Sequence, residues 1–197
     1  LPSHVESLEA IDGRVEVSIA PPEDSLGEKF NRAWRKTRSD LYVLGTDDMA
    51  FRTPGWDRIV AEAATAFPDR IGMVFFGAIP VPSPFPASYA LTREMIELLG
   101  WFQPPFFPFW WHDTWTFELA HLTGRVVTRD IDTHHPIGVG QSRGVRDVPF
   151  WADVFERTRR LRIDQADRIL DAGDDPAERK AALRSRRPEI VRGLERV

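Results

Sequence analysis

Three adjacent pairs of side chains carry the chemistry open to this sequence: Asp47-Asp48, His112-Asp113 and His134-His135. Asp47 and Asp48 directly follow a short apolar run, Leu41-Tyr42-Val43-Leu44, that reads as a buried strand. Ligands of open α/β sheets bind outside the carboxyl ends of strands, which is where these acids fall. Their oxygens suit a hard cation such as Mg²⁺ or Mn²⁺, which takes one or two carboxylates and fills its other positions with water and substrate phosphates. An Asp-rich turn leading into the next helix would use the same two residues without any metal. Asp113 follows a proline and aromatic loop and opens a helical pattern over Thr114–Leu122. It can serve as a base for an acceptor hydroxyl, as the helix N-cap, or as both. His134 and His135 follow a strand pattern, and one imidazole could turn back onto a metal held by Asp48; loop histidines also simply pack or face water. The run Trp101 to Trp115 holds eight aromatic side chains. They can stack on a sugar face or form core beneath a proline-stiffened loop.

The elements that must position these residues alternate. Arg14–Ala20 has the period of a half-buried strand ending at Pro21-Pro22. Ser25 and Glu28 form a capping box ahead of a helix with Leu26, Phe30, Ala33 and Trp34 on one face. A second helix fits Trp56, Ile59, Val60, Ala63 and Phe67, and Ile71 to Phe76 is a further apolar strand. A short helix from Thr92 to Leu99 is closed by Gly100, and Arg125–Thr128 reads as a strand. Such alternation predicts helices layered on a largely parallel sheet. Residues 149–172 and 176–196 read as two charged amphipathic helices, the first turning Phe150, Val154, Leu161 and Ile169 inward. The division expected is a catalytic domain over 1–148 and a helical extension over 149–197.

Composition narrows the classes. The 197 residues are 42% hydrophobic and 28% charged, which is ordinary globular usage. Residues 1–150 carry 14 basic and 20 acidic side chains, and 151–197 carry 12 and 10, so neither part has the basic excess of a nucleic-acid binder. With no cysteine in the chain, Asp, Glu and His are the only strong metal ligands and a reducing cytoplasm is the expected location. No apolar run approaches the roughly 20 residues of a membrane span.

Taken in order, Ser25-Leu26-Gly27-Glu28-Lys29-Phe30-Asn31, Leu41 to Asp48 and Phe51-Arg52-Thr53-Pro54-Gly55-Trp56 resemble the GT-A glycosyltransferases, similar to the inverting family 2 type. Phe85 to Thr92 and Gly100-Trp101-Phe102-Gln103-Pro104 resemble that family's donor-sugar and acceptor segment. His112-Asp113-Thr114-Trp115 resembles its acidic motif, and His134-His135-Pro136 its late metal-contacting histidine. The likeness covers roughly residues 14–150 and finds no counterpart before Leu1 for the family's first strand and helix. It implies a three-layer α/β/α sandwich with a C-terminal helical tail and a nucleotide-sugar donor bound through Asn31, Asp47 and Asp48. It further implies Mn²⁺ or Mg²⁺ on Asp48 with His134 or His135, Asp113 as base, and a hydroxyl acceptor of unknown identity. An oligomer is compatible with this reading. The site here reads Thr46-Asp47-Asp48 in place of a full Asp-x-Asp, so the ligand is open between Asp47 and Asp48. Two other readings are a non-catalytic glycan- or protein-binding module on the same fold, and a nucleotidyltransferase, whose glycine-rich phosphate loop is not visible.

Overall fold

A computed structural model describes residues 25–45, 49–76, 88–108, 110–134 and 147–194, with side chains to residue 188. The strand expected over 14–20 and residues Asp47, Asp48 and His135 lie outside these ranges. Seven helices and a mixed sheet make the described part α/β. In chain order they are α1 (Leu26–Lys36), β1 (Leu41–Val43), β2 (Ala50–Phe51), α2 (Trp56–Ala64), β3 (Met73–Phe76) and β4 (Tyr89–Thr92). There follow α3 (Arg93–Leu99), α4 (His112–Leu122), β5 (Val126–Arg129), β6 (Thr133–His134), α5 (Val148–Arg157), α6 (Arg159–Ala172) and α7 (Ala177–Leu194).

Four strands form one sheet in the order β1-β4-β3-β5, and β2 and β6 form a separate antiparallel ribbon. The expectation of a largely parallel sheet is corrected here: β1, β3 and β5 point the same way, but β4 runs antiparallel between β1 and β3, so only the β3–β5 pairing is parallel. A strand was not expected at Tyr89–Thr92. Its four residues run directly into α3, with Thr92 as both last strand residue and N-cap, so the apolar pattern is shared between two elements.

Successive side chains of a strand point to opposite faces, and the core divides accordingly. Met73, Phe75, Tyr89 and Leu91 face one cluster with Met95, Trp115, Leu119 and Ile169. Val74, Phe76 and Ala90 face another with Val60 and Ala63 of α2. Helices therefore cover both faces of the sheet.

The tail differs from expectation in two ways. First, the segment 149–172 is two helices, broken at Thr158. The Phe155 carbonyl that would continue the ladder instead accepts from the Thr158 hydroxyl at 3.0 Å and from the Arg162 guanidinium, a side-chain competition that interrupts helices. Second, the break changes which residues face inward. Phe155, Ala166 and Ile169 join the sheet's own cluster, whereas Phe150 and Leu161 are 52% and 40% exposed. Residues of the segment 149–172 thus complete the core of the preceding residues.

At the other end of α6, Arg125 lies between Asp69 and Asp175, with both ion pairs at 2.6 Å and all three side chains largely buried. Burial works against the Asp69 charge, yet hydrogen bonds from the Asp174 and Ile71 amides, with Arg125, hold its carboxyl below the usual range. Gly173 passes so close that a methyl group there would land on the Arg125 guanidinium and 3.3 Å from Asp69 Oδ2. Gly173→Ala should therefore cost about 1–3 kcal/mol, as overpacking does, read as a lower urea midpoint with unchanged slope. Gly100→Ala meets no atom but must adopt φ 82°, and about 1–2 kcal/mol is expected from that backbone strain alone.

Candidate functional site

Because β4 is reversed, its first residues lie at the carboxyl ends of its neighbours. The Leu44 amide donates to Tyr89 O at 2.8 Å and the Phe76 amide to Ser88 O at 3.1 Å. Arg129, the end of β5, is in register with Phe76. The β2–β6 ribbon joins the same edge, for Ser88 Oγ is 3.4 Å from Met49 Sδ and 3.5 Å from Thr133 Oγ1. This is the edge at which an α/β sheet of this kind receives ligands.

On the α4 side, Asp113 lies near enough to Tyr89 for its charge to act on the phenol. The helix starts two residues earlier than expected, at His112, and its N-cap is Trp111, whose side chain makes no capping bond. The N-cap role offered for Asp113 is thereby corrected: the residue sits within the first turn. Its Oδ1 accepts from its neighbour's amide, Thr114 N, at 2.7 Å. Burial raises the Asp113 carboxyl pKa, and the Thr114 hydrogen bonds offset only part of the rise. A raised carboxyl pKa brings a base nearer to the operating pH, and such shifts mark functional sites more often than chance.

Around it runs a buried polar chain. Tyr89 is fully buried, and its phenol pKa is pushed up by that burial, with the Asp113 charge adding to the rise. Gln103 Nε2 donates to Tyr89 Oη at 2.6 Å. The Thr116 hydroxyl, also within reach of Tyr89, donates to His112 O at 2.8 Å. Gln103 is itself fixed by Asn31: Asn31 Oδ1 accepts from Phe102 N at 2.8 Å and Gln103 N at 3.0 Å, while Nδ2 donates to Gln103 O at 2.8 Å. Asn31 is 0% exposed. In this structure it staples the loop after α3 to α1 and presents no open face to a nucleotide.

Of the expected metal ligands, His134 is described, exposed on β6 and paired with Ala50. Ala50 stands two residues after Asp48 in the chain. Asp47, Asp48 and His135 lie outside the described residues, and among the described residues no group of three or more Asp, Glu or His suits a metal. The aromatic run is mostly core: Trp101, Phe102, Phe107 and Trp115 are buried, and Phe106 is exposed. Thr116 was not singled out from sequence, because a threonine inside a helix gives no signal of its own. The φ of 75° at Trp111 was equally hidden, since bulky residues rarely take that conformation.

The direction of the Asp113 shift fixes a sign. A carboxyl with a raised folded pKa binds its proton more tightly folded than unfolded. Its stabilising contribution is therefore present in acid and declines as pH rises from about 3.9, the unfolded value, through the raised folded value. Asn imitates the protonated form, so Asp113→Asn should melt at or above the parent at pH 7, and the gap should close below about pH 4. Each 1 kcal/mol corresponds to about 2–4 °C for a chain of this size. Melting curves from pH 4 to 8 check this; a variant less stable at pH 7 would mean a carboxylate held by partners, not one stranded by burial.

No protein-family model, no curated protein and no solved structure matches this chain.

Proposed function

We propose that this chain is a metal-dependent glycosyltransferase of the GT-A type, similar to the inverting family 2, transferring a sugar from a nucleotide-sugar donor to an acceptor hydroxyl. The observation that carries the reading is Asp113: a partly buried carboxylate with a raised pKa, in the first turn of α4, beside Tyr89 where the carboxyl ends of β1 and β3 meet β4. Helices on both sheet faces and the β2–β6 ribbon next to residues 46–48 in the chain support it further.

The acceptor hydroxyl gives its proton to an Asp113 oxygen as its own oxygen attacks the anomeric carbon. The bond from that carbon to the diphosphate oxygen breaks, and its electron pair leaves with the diphosphate. Attack from the face opposite the leaving group inverts the anomeric centre. The Thr114 amide on Asp113 Oδ1 fixes the carboxylate's orientation and leaves Oδ2 for the proton. Asp47 positions ribose or sugar. His134 fits the expected donor set, being exposed on the ribbon beside residues 49–50, and Asp48 with His134 or His135 would hold the cation. When bound, Mn²⁺ or Mg²⁺ supplies positive charge against that growing on the diphosphate. The lack of cysteine suits action in the cytoplasm, and no helix among the described residues is long and apolar enough to cross a membrane.

Single-turnover transfer with a panel of nucleotide sugars and Mn²⁺ tests the reading. Asp113→Asn should lower the rate by roughly 10²–10⁴, the usual worth of a positioned base, with donor affinity by calorimetry nearly unchanged. Asp48→Ala should remove metal-dependent donor binding and leave melting unchanged. Donor binding with neither transfer nor hydrolysis would instead identify a binding module on this fold. Transfer by Asp113→Asn near the parent rate would place the base elsewhere.

A further inference from the structure

We infer that the C-terminal helices α5 and α6 are a brace that holds the start of α4, and with it Asp113, in its working position, with Trp111, Phe155, Arg162 and Gln165 as positioning residues. The starting observation is backbone strain. Trp111 has φ 75° and ψ −7°, a left-handed conformation that glycine takes freely and a bulky side chain does not. Such a residue costs of order 1–3 kcal/mol and persists only where its surroundings over-determine it. It is also the residue whose carbonyl receives the first hydrogen bond of α4, from Trp115 N at 2.8 Å.

The surroundings that hold it come from the tail. The Trp111 ring lies on Phe155 of α5 with centroids 5.0 Å apart and planes 31° from parallel. The Arg162 guanidinium of α6 covers the same Phe155 ring at 3.7 Å and the Trp115 ring at 5.0 Å. Arg162 Nε pairs with Glu118 of α4 at 2.7 Å. Gln165 Oε1 accepts from Trp115 Nε1 at 2.8 Å. Four contacts thus converge on the first two turns of α4, from Trp111 to Glu118, and Asp113 stands between the two tryptophans they hold. A tail needed only for solubility or length would not place an arginine and a glutamine, 1% and 6% exposed, against these two turns.

The inference rests on Asp113 as the base, so the experiment separates the two. In the full chain, Phe155→Leu keeps most of the apolar volume and removes the ring under Trp111. Amide exchange at Thr114 and Trp115 should speed at least about ten-fold through local opening, while Met73–Phe76 of β3 stays protected. If the parent transfers sugar, turnover should fall at least about ten-fold with the donor KM nearly constant, the pattern of an interaction felt in the transition state. Phe155→Tyr, which keeps the ring, should restore both. Should Phe155→Leu fail to fold, Gln165→Met, which removes only the indole partner, gives the same pair of readings. Unchanged exchange at Thr114 and Trp115 overturns the brace, as does faster exchange with unaltered turnover. A parent without transfer activity sinks the catalytic reading of Asp113, and the exchange data alone then decide whether the brace exists.

Discussion

The ion pair between Glu118 and Arg162 is the constraint to which the rest of the structure answers. Both side chains are almost wholly withdrawn from water, 7% and 1% exposed, at 2.7 Å. Burial drives the Glu118 pKa up and the Arg162 pKa down, and each partner opposes the other's shift. A guanidinium does not lose its proton in proteins, so Arg162 stays charged in the core and needs Glu118 beside it. Removing one member would strand the other at a cost of about 3–5 kcal/mol. Such a pair tolerates very few relative placements of two helices. It sets α6 against α4, and thereby sets where the first turn of α4 comes to rest.

From that placement the site follows through the sheet. Tyr89 and Leu91 point toward α4, while Ala90 between them points toward α2. With β4 reversed, Tyr89 stands at the carboxyl ends of β1 and β3, and its hydroxyl is joined to Gln103 and Thr116. A buried polar chain of this kind is stabilising only if its members are satisfied. Asn31 contributes by holding the backbone of Phe102 and Gln103 through three hydrogen bonds from α1. The edge is therefore built from α1, α4 and β4 together, and one carboxylate is left beside it with burial raising its pKa.

Local chemistry was legible where one residue suffices. The Ser25 cap accepts from Glu28 N as the capping box requires, and Gly100 ends α3 in the left-handed region. The strands at 41–44 and 71–76 were visible as apolar runs, because both faces of the sheet are covered. What was hidden depends on partners distant in sequence. Arg162 reads as one more charge on a charged helix, and only Glu118, 44 positions earlier, makes it core. The direction of β4 cannot be read from its four residues, and the Thr158 break comes from a carbonyl drawn off by Arg162. Asp113 was found by its place after the aromatic loop and by a family likeness, whereas the burial that shifts its pKa comes from the assembled fold.

The proposed work of Asp113 depends on its being a carboxylate that folding has partly withdrawn from water. A residue-specific ¹³C titration of its carboxyl carbon in the folded parent protein measures this directly. A midpoint clearly above about 3.9, the value of an ordinary aspartate, is the result predicted here. A midpoint at or below it would mean that Asp113 is solvated or stabilised as an anion, and would contradict both its environment and its proposed work as a base.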